Sequence, residues 1–178
     1  MIAQAHKLQE DQLAAFVLPQ FISADNILQQ VANEYNGLII ESNLSDSQFY
    51  YGKGAGGFPT ASAVLSDLSA LGYDYRYAYK KKKLVQYLNL NNTVLLHVYL
   101  SYKVGTQFPK EQFVELFETY SNGTHAYLIG IISLQDLITD NWWKQAPFSL
   151  ILMPDALNRH TVLAPDLNSS KLELLEIV

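Results

Sequence analysis

Glycines at positions 52, 54, 56 and 57 join an aromatic, strand-like segment to a helix that is predicted to begin at Pro59. Because glycine has no side chain to hold the backbone away from a neighbour, such a run permits a close partner. Pro59 presets φ for a first helical turn, whose free N–H groups attract anions. Gly52, Gly54 and Gly57 also fit the G-x-G-x-x-G spacing of a dinucleotide-binding turn. The residues alone leave two roles open: a dinucleotide-binding turn in its own right, or a packing turn without a ligand.

The surroundings of the run disfavour the first of these roles. An acidic residue that binds the ribose is expected about 20 residues further on, at the end of a strand. Asp74 instead begins its segment, and the lysines at 80–83 occupy the end. The strand before the glycines is also the fourth in a series of predicted hairpins, not the first strand of a βαβ unit.

Other reactive side chains form no recognisable set, so we assign no catalytic residue and no metal ligand. The four histidines are far apart in the sequence, and His97, within an apolar strand, is expected on a sheet face. The chain has no cysteine, which excludes disulfides and thiolate chemistry. Lys7 and Lys53 are expected to face solvent. Trp142 and Trp143 are expected to divide between core and surface.

Composition indicates a folded protein of the cytoplasm. The 178 residues are 49% hydrophobic and 16% charged, and the net charge of -5 gives no global field that would hold nucleic acid. No apolar stretch is long enough to span a bilayer, and the first residues do not follow the basic-then-apolar order of a signal peptide. We therefore expect neither a nucleic-acid nor a membrane partner.

The predicted fold class is α+β, with a hairpin-rich mixed sheet, the glycine turn and a return helix, followed by a small α+β unit. Strands are predicted at 2–8, 13–22, 35–41 and 47–51, with a short helix at 24–32. A helix from 59 to 71 carries Val64, Leu68 and Leu71 on one face.

A division of the chain is predicted at a polar linker over residues 80–91, between a first unit at 1–79 and a second at 92–178. The second unit is expected to have strands at 93–102 and 126–132 and a helix from Ser133 to about Trp143. An amphipathic helix is predicted over 109–120, with Phe113, Leu116, Phe117 and Tyr120 on one face. Further strands are expected at 148–153, 161–163 and 171–177. The four tyrosines at 73, 75, 77 and 79 lie on one side of an extended segment.

The segment from Gly52 to Val64 resembles the G-x-G-A-G-x-x-P-T-A-S-A-V motif near the end of the catalytic portion of homoserine dehydrogenase. Upstream, residues 26–41 are similar to the family's P-L-A-x-V-x-G-x-x-N-A-V-x-V-E-G segment, with Asn36 and Glu41 falling in its last part. This family interconverts L-homoserine and L-aspartate 4-semialdehyde with NAD(P), in the biosynthesis of threonine and methionine. The resemblance implies that the chain is the C-terminal portion of such an enzyme.

The same resemblance implies which residues meet the cofactor. In the family the glycine turn lies beside the nicotinamide end, which points to Gly54, Gly56, Gly57 and Thr60 as the cofactor-binding residues. The helix after the turn packs on the N-terminal Rossmann portion of the enzyme, and family members pair into homodimers through the sheet of the substrate domain. The family's dinucleotide fingerprint and catalytic lysine have no counterpart in this sequence. The chain is therefore expected to be inactive and to bind no NAD(P) by itself.

Many bacterial members end in an ACT domain, a β-α-β-β-α-β unit that senses amino acids. Residues 103–106 occupy the place of its ligand loop, but the second strand is expected to run directly into the second helix. The second unit is accordingly predicted to serve oligomerisation or packing. For the chain as a whole, the alternative to an enzyme fragment is a stand-alone regulatory, amino-acid-binding or oligomerisation module.

Overall fold

The computed structural model describes residues 1–9, 11–75, 87–154, 157 and 173–177 as two β-sheets with helices, an α+β fold as predicted. The first strands are β1 (Ile2–Gln9), β2 (Gln12–Leu18), β3 (Tyr35–Ser42) and β4 (Asp46–Lys53). Helix α1 (Gly57–Gly72) follows, and then come β5 (Asn89–Leu90) and β6 (Leu95–Lys103). The remaining elements are β7 (Phe113–Ser121), β8 (His125–Ser133), α2 (Leu134–Asp140), β9 (Ser149–Leu152) and β10 (Glu173–Ile177).

The first sheet has the strand order β4-β3-β10-β1-β2-β5. The two predicted hairpins are confirmed, because β1 pairs with β2 and β3 pairs with β4, both antiparallel. Short β5 runs parallel to β2, which makes the sheet mixed. Strand β10 was expected within the second unit, yet its backbone pairs with β1 on one side and β3 on the other.

The second sheet is antiparallel, with the order β7-β8-β6-β9. Strands β8 and β9 both flank β6 and are joined through α2, and β6 reaches β7 through a connection with a 3-10 helix at Lys110–Gln112. These directions are those of a β-α-β-β-α-β unit in which a loop replaces the first helix. In this unit β7 is a second strand that precedes β8, which the sequence did not predict. The element that this unit lacks is the helix between its first two strands, β6 and β7.

The predicted helix at 109–120 is wrong, because residues 113–121 form strand β7 against β8. Register shifts between Phe113 and Glu115 and between Leu116 and Glu118 mark two bulges in the strand. Each bulge adds a residue and breaks the alternation of two, so the apolar residues recur at the spacing of a helix. Gly130 on β8 accommodates the first bulge, since a Cβ there would lie 2.5 Å from the backbone oxygen of Glu115.

One core lies between the inner faces of the two sheets. From the first sheet it takes the side chains of Leu8, Ala14, Phe16 and Leu18. From the second sheet it takes eight fully or nearly fully buried side chains: Leu96, Val98, Leu100, Phe113, Leu128, Ile132, Leu150 and Leu152. Alternation along β1 and β2 buries every second residue and leaves the others on the outer face. Ile2 of β1 packs in a second, smaller cluster with Leu28 and Ile39. The core thus contains residues from both sides of the predicted linker at 80–91, of which residues 80–86 lie outside the described part of the chain.

The short connections follow local capping rules. The helix predicted at 24–32 is a 3-10 turn at Ile27–Gln30, where the Asn26 side chain accepts a hydrogen bond of 2.9 Å from the Leu28 N–H. Ser133 caps α2 by accepting from the Gln135 N–H at 3.1 Å. Helix α2 ends before Asn141, which adopts the left-handed conformation. The strand predicted at 161–163 lies outside the described residues.

Helix α1 is longer than predicted by two residues at its start and one at its end, and none of its residues is buried. Its predicted apolar face is open, with Val64, Leu68 and Leu71 exposed by 53%, 58% and 71%. A helix of 16 residues is about 24 Å long, so the exposed apolar surface is extensive. Tyr73 and Tyr75, which follow the helix, are also exposed, and positions 77 and 79 lie outside the described residues.

Candidate functional site

The glycine turn joins the end of β4 to the start of α1. Its backbone is tied to the neighbouring strand by a hydrogen bond of 3.1 Å from the Gly54 N–H to the Glu34 carbonyl. Gly56 stands at the N-cap of α1 with φ +113° and ψ 160°, a conformation that L-residues rarely adopt. The turn therefore depends on a glycine at position 56 for its own shape.

The glycines of the turn meet two different environments. A Cβ on Gly54 would lie 1.7 Å from the side-chain nitrogen of Asn36, so a larger residue there would have to displace that exposed side chain. A Cβ on Gly52 or Gly57 would meet nothing within 4 Å. The residues from Gly52 to Phe58 are all exposed. Within the described part of the chain, no contact explains the glycines at 52 and 57, and this side of the turn is open.

Thr60 fixes the turn from the first turn of α1. Its N–H donates to the Gly56 carbonyl at 3.2 Å, and its hydroxyl donates to the same oxygen at 2.9 Å. Gly56 offers no side chain to cap the helix. The first N–H groups of α1 therefore have no side-chain cap, and the start of the helix favours negative charge.

Beside the turn lies an ion pair between Lys53 and Glu34, which the sequence did not predict. The Lys53 ammonium lies 2.7 Å from Glu34 Oε1 and 5.3 Å from the centroid of the Tyr35 ring. Tyr35 stacks on Tyr51 with ring centroids 4.7 Å apart. The hydrogen bond from Lys53 holds the pKa of Glu34 below its ordinary value. Lys53 was expected to face solvent; its side chain is 44% exposed, and the pairing of Tyr35 with Lys53 across β3 and β4 brings it to Glu34.

A buried polar group in β1 also escaped the sequence reasoning. His6 is 2% exposed and stacks on Phe16, and its Nε2 lies 2.9 Å from Gln4 Oε1. Gln4 in turn donates to Gln20. Burial lowers the pKa of His6 to about 4. The imidazole is thus neutral at physiological pH, and its role is to pack in the protein interior. Its position on the inward side of an alternating strand was the available signal.

The other predicted candidates do not gather at the turn. His97 lies on the face of β6, 5.2 Å from the ring of Phe117, in keeping with the prediction. Trp142 and Trp143 were expected to divide between core and surface, but both pack against the main core, because α2 ends beside it. At the predicted ligand loop, Gly105 has φ +86° and Thr106 N–H donates to the Lys103 carbonyl, a local turn.

The described residues hold neither a metal cluster nor a helix that could cross a membrane. Within the ranges given above, no group of three or more His, Cys, Asp or Glu side chains is arranged to hold a metal ion. The helices of the described part of the chain are all too short or too polar to cross a membrane.

Comparison with known proteins relates the glycine turn to one family. Residues 1–69 match the family model of homoserine dehydrogenase. The homoserine dehydrogenase of Mycobacterium leprae (strain TN) is 36% identical over 59 residues, which are 33% of this chain and 13% of that protein. That of Synechocystis sp. (strain ATCC 27184 / PCC 6803 / Kazusa) is 42% identical over 52 residues, 29% of this chain and 12% of that protein. The matched part of this chain thus spans only about an eighth of the length of these curated relatives.

A solved structure extends the similarity beyond the matched segment. The crystal structure of a homoserine dehydrogenase from Thiobacillus denitrificans superposes with a TM-score of 0.57 and covers 83% of this chain and 40% of that one. Sequence identity is 16%, so this comparison shows a shared fold. The matched residues 1–69 contain β1 to β4, the glycine turn and most of α1. The resemblance predicted from the sequence is confirmed.

Proposed function

We propose that this chain forms the C-terminal portion of a homoserine dehydrogenase and closes the cofactor site of that enzyme with the glycine turn. Its residues 1–69 match the model of this family. The observation that carries the proposal is the open side of the turn, where a Cβ on Gly52 or Gly57 would meet no atom of the described residues within 4 Å. Glycines without a steric reason in their own chain fit a backbone that approaches a bound group closely.

The residues of the turn fit one end of NAD(P). The flat nicotinamide ring requires a surface without side chains, and Gly54, Gly56 and Gly57 provide it. Thr60 holds the Gly56 carbonyl and so keeps the turn in its conformation. When bound, NAD(P)H would donate a hydride to L-aspartate 4-semialdehyde, and NAD(P)+ would accept one from L-homoserine in the reverse direction. The role of this chain would be to orient the cofactor and to exclude water from it.

Catalysis would need residues that this sequence does not contain. It has no counterpart of the family's dinucleotide fingerprint or catalytic lysine, and the glycine turn offers no acid or base. By itself the chain should bind NAD(P) weakly at most and produce no homoserine-dependent reduction of NAD(P). The nucleotide-binding and substrate-binding parts would come from the remainder of the enzyme.

The bare surface of α1 supports this division of labour. Phe58, Leu65 and Leu68 are exposed by 92%, 65% and 58%, although large apolar side chains are normally covered. We propose that the nucleotide-binding portion of the enzyme packs on these side chains. Because α1 begins at the glycine turn, that contact would place the nucleotide-binding portion, and its cofactor, beside the turn. The proposed setting is the cytoplasm, in the biosynthesis of threonine and methionine.

The test is a chimera in which residues 1–75 of this chain replace the matching segment of the Corynebacterium glutamicum homoserine dehydrogenase, which is 38% identical over 56 residues. We expect the chimera to reduce L-aspartate 4-semialdehyde with NADPH. Gly56→Val should raise the KM for NADPH at least about tenfold, since valine cannot adopt φ +113° without distorting the turn.

Leu44→Ala is the matched control, because Leu44 is fully exposed at the far end of the β3–β4 hairpin. It should leave KM and kcat unchanged. An active chimera in which Gly56→Val has the kinetic constants of the parent would limit the turn to a structural role. Turnover by the unmodified chain alone, in proportion to its concentration, would also contradict the proposal.

A further inference from the structure

The edge of β2 that faces away from β1 is paired at both of its ends and open in the middle. At its start, the carbonyls of Asp11 and Leu13 accept hydrogen bonds from β5 and the residue that follows it, at 2.7 and 2.8 Å. Just beyond its end, the Pro19 carbonyl accepts from the Leu152 N–H of β9 at 2.8 Å. Between these contacts, no strand of the described residues lies along this side of positions 14–18.

The direction of the backbone groups in this gap follows from the alternation of a strand. The N–H and C=O groups of one residue point to the same side, and those of the next residue point to the other. The Leu13 carbonyl faces away from β1, so the backbone groups of Ala15 and Val17 face away from β1 as well. Within the described part of the chain, no backbone hydrogen bond joins these groups to another segment. Two donors and two acceptors are therefore in line for an extended backbone.

A groove of about 370 Å³ lies along this gap and is lined by residues 15–18 of β2. Its other wall is formed by α2 and the residues after it, among them Ile138, Trp143 and Lys144. Ligand-binding clefts range from about 300 to 1,000 Å³, so the groove can receive a short segment of chain. The gap between the two paired ends is about 20 Å long, since six residues rise about 3.3 Å each. It fits about six extended residues.

The side chains of the groove favour an apolar segment that carries a negative charge. Leu137, Ile138 and Trp143 contribute apolar surface, and Ile138 is 46% exposed. Lys144 is the only charged side chain among the described residues of the lining. Its ammonium lies 5.4 Å from the centroid of the Trp143 ring, and no carboxylate of the described residues is within ion-pair distance of it. A carboxylate on the ligand would complete a charge pair.

We propose that this groove binds a short, extended segment of a partner polypeptide, which adds as a strand to the middle of β2. The N–H and C=O groups of Ala15 and Val17 pair with the backbone of that segment. Its apolar side chains pack against Ile138 and Trp143, and an acidic side chain pairs with Lys144. The proposal does not rest on the proposed function, because β2 and the glycine turn after β4 lie near opposite edges of the first sheet.

The test measures the binding of fluorescent peptides to the full chain by fluorescence anisotropy. The probe is acetyl-Asp-Val-Thr-Val-Thr-Asp-amide, whose valines share one face and whose two aspartates permit either strand direction. Its counterpart has lysine in place of both aspartates. We expect the acidic peptide to bind at least about tenfold more tightly, because only its charge is attracted by Lys144. The net charge of the whole chain, -5, would favour the basic peptide instead, so the expected order identifies the groove.

Amide hydrogen exchange locates the bound peptide. The amides of Ala15 and Val17 should become protected, whereas those of Ala14 and Phe16, which face β1, should not change. Protection of Ala15 and Val17 that rises with the concentration of the chain, without peptide, would identify a second copy as the occupant and would overturn the proposal.

Two variants test the backbone and the charge of the groove separately. Ala15→Pro removes an N–H that faces the groove and none that pairs with β1, so it should weaken binding of the acidic peptide at least about tenfold. Ala15→Ser keeps that N–H and should bind as the unmodified chain does. Lys144→Gln should abolish the preference for the acidic peptide, and Lys103→Gln, at an exposed position at the end of β6, should retain it.

Circular dichroism establishes whether each variant is folded, and Lys144→Gln decides the matter if Ala15→Pro is not, because Lys144 is exposed. Three results would each overturn the proposal: no saturable binding of the acidic peptide at millimolar concentration, equal affinity for the two peptides, or an unchanged preference in Lys144→Gln. Since no readout involves activity, the outcome is independent of the chimera.

Discussion

At the scale of single residues, Gly56 and Gly57 are adjacent in sequence and differ in what they require. Gly56 has φ +113°, whereas a Cβ on Gly57, the first residue of α1, would meet nothing within 4 Å. Gly56→Ala should therefore destabilise the start of α1 by about 1–3 kcal/mol. Gly57→Ala should stabilise the helix by up to about 1 kcal/mol, because alanine loses less backbone entropy.

Amide hydrogen exchange over residues 57–64 measures both effects, because α1 has no buried residue and can open without the core. The two variants should move the exchange rates in opposite directions. Equal amide exchange rates in Gly56→Ala and Gly57→Ala would mean that the backbone conformation at position 56 imposes no strain on an alanine.

His6 gives the second prediction at this scale. Burial lowers its pKa from the ordinary value of 6.5 to about 4. Between these values the unfolded chain binds a proton that the folded chain does not, so stability falls as the pH falls from 6.5 towards 4. The contribution lost is about 3 kcal/mol, an upper bound at 1.36 kcal/mol per pKa unit.

Urea unfolding between pH 4 and pH 7 provides the measurement. His6→Gln should remove this part of the pH dependence, and His125→Gln, at an exposed position, should retain it. An unchanged slope in His6→Gln would assign the dependence to other groups.

At the scale of elements, α1 and β6 show opposite relations to the core. Leu96 on β6 is fully buried, and Leu68 on α1 is 58% exposed. Leu96→Ala should cost about 2–5 kcal/mol of unfolding free energy, because it removes contacts and leaves a cavity. Leu68→Ala should change it by less than about 0.5 kcal/mol. Chemical denaturation of the two variants checks the difference, and a large loss in Leu68→Ala would show that α1 packs on this chain in solution.

The elements also show where sequence patterns succeed. The apolar runs at 2–8 and 13–22, joined by a polar turn, predicted a hairpin that the structure confirms as β1 and β2. Strand β7 was mistaken for a helix because its two bulges mimic helical spacing. The bulges depend on β8, where Gly130 leaves room for the Glu115 carbonyl, so the local sequence alone did not reveal them.

At the scale of the whole molecule, the outer face of the first sheet is a candidate for self-association. A shallow depression of about 330 Å³ on this face is lined in part by Ala3, Ala5, Ala15 and Val17. Val17 is 57% exposed, and the small neighbouring side chains leave the sheet flat. Flat apolar sheet surfaces pack well face to face, and twofold contacts are the commonest closed assembly.

We therefore predict a homodimer through this face. Val17→Glu should shift the chain to monomer in sedimentation velocity experiments, because the dimer would bury an unpaired charge. Leu44→Glu, at a fully exposed hairpin tip, should leave the association state unchanged. A chain that is monomeric at micromolar concentration before any substitution would contradict the prediction.

Local patterns in the sequence determined the hairpins, the start of α1 to within two residues and the family resemblance, since apolar runs, polar turns, glycine and proline act on neighbouring residues. The tertiary structure decided what depends on distant partners. It joined the two sheets through one core, placed β10 between β1 and β3, and left the Val64 face of α1 uncovered. Strand pairing and burial are set by residues more than a hundred positions apart, such as Ala5 and Leu175, whose register no local period encodes.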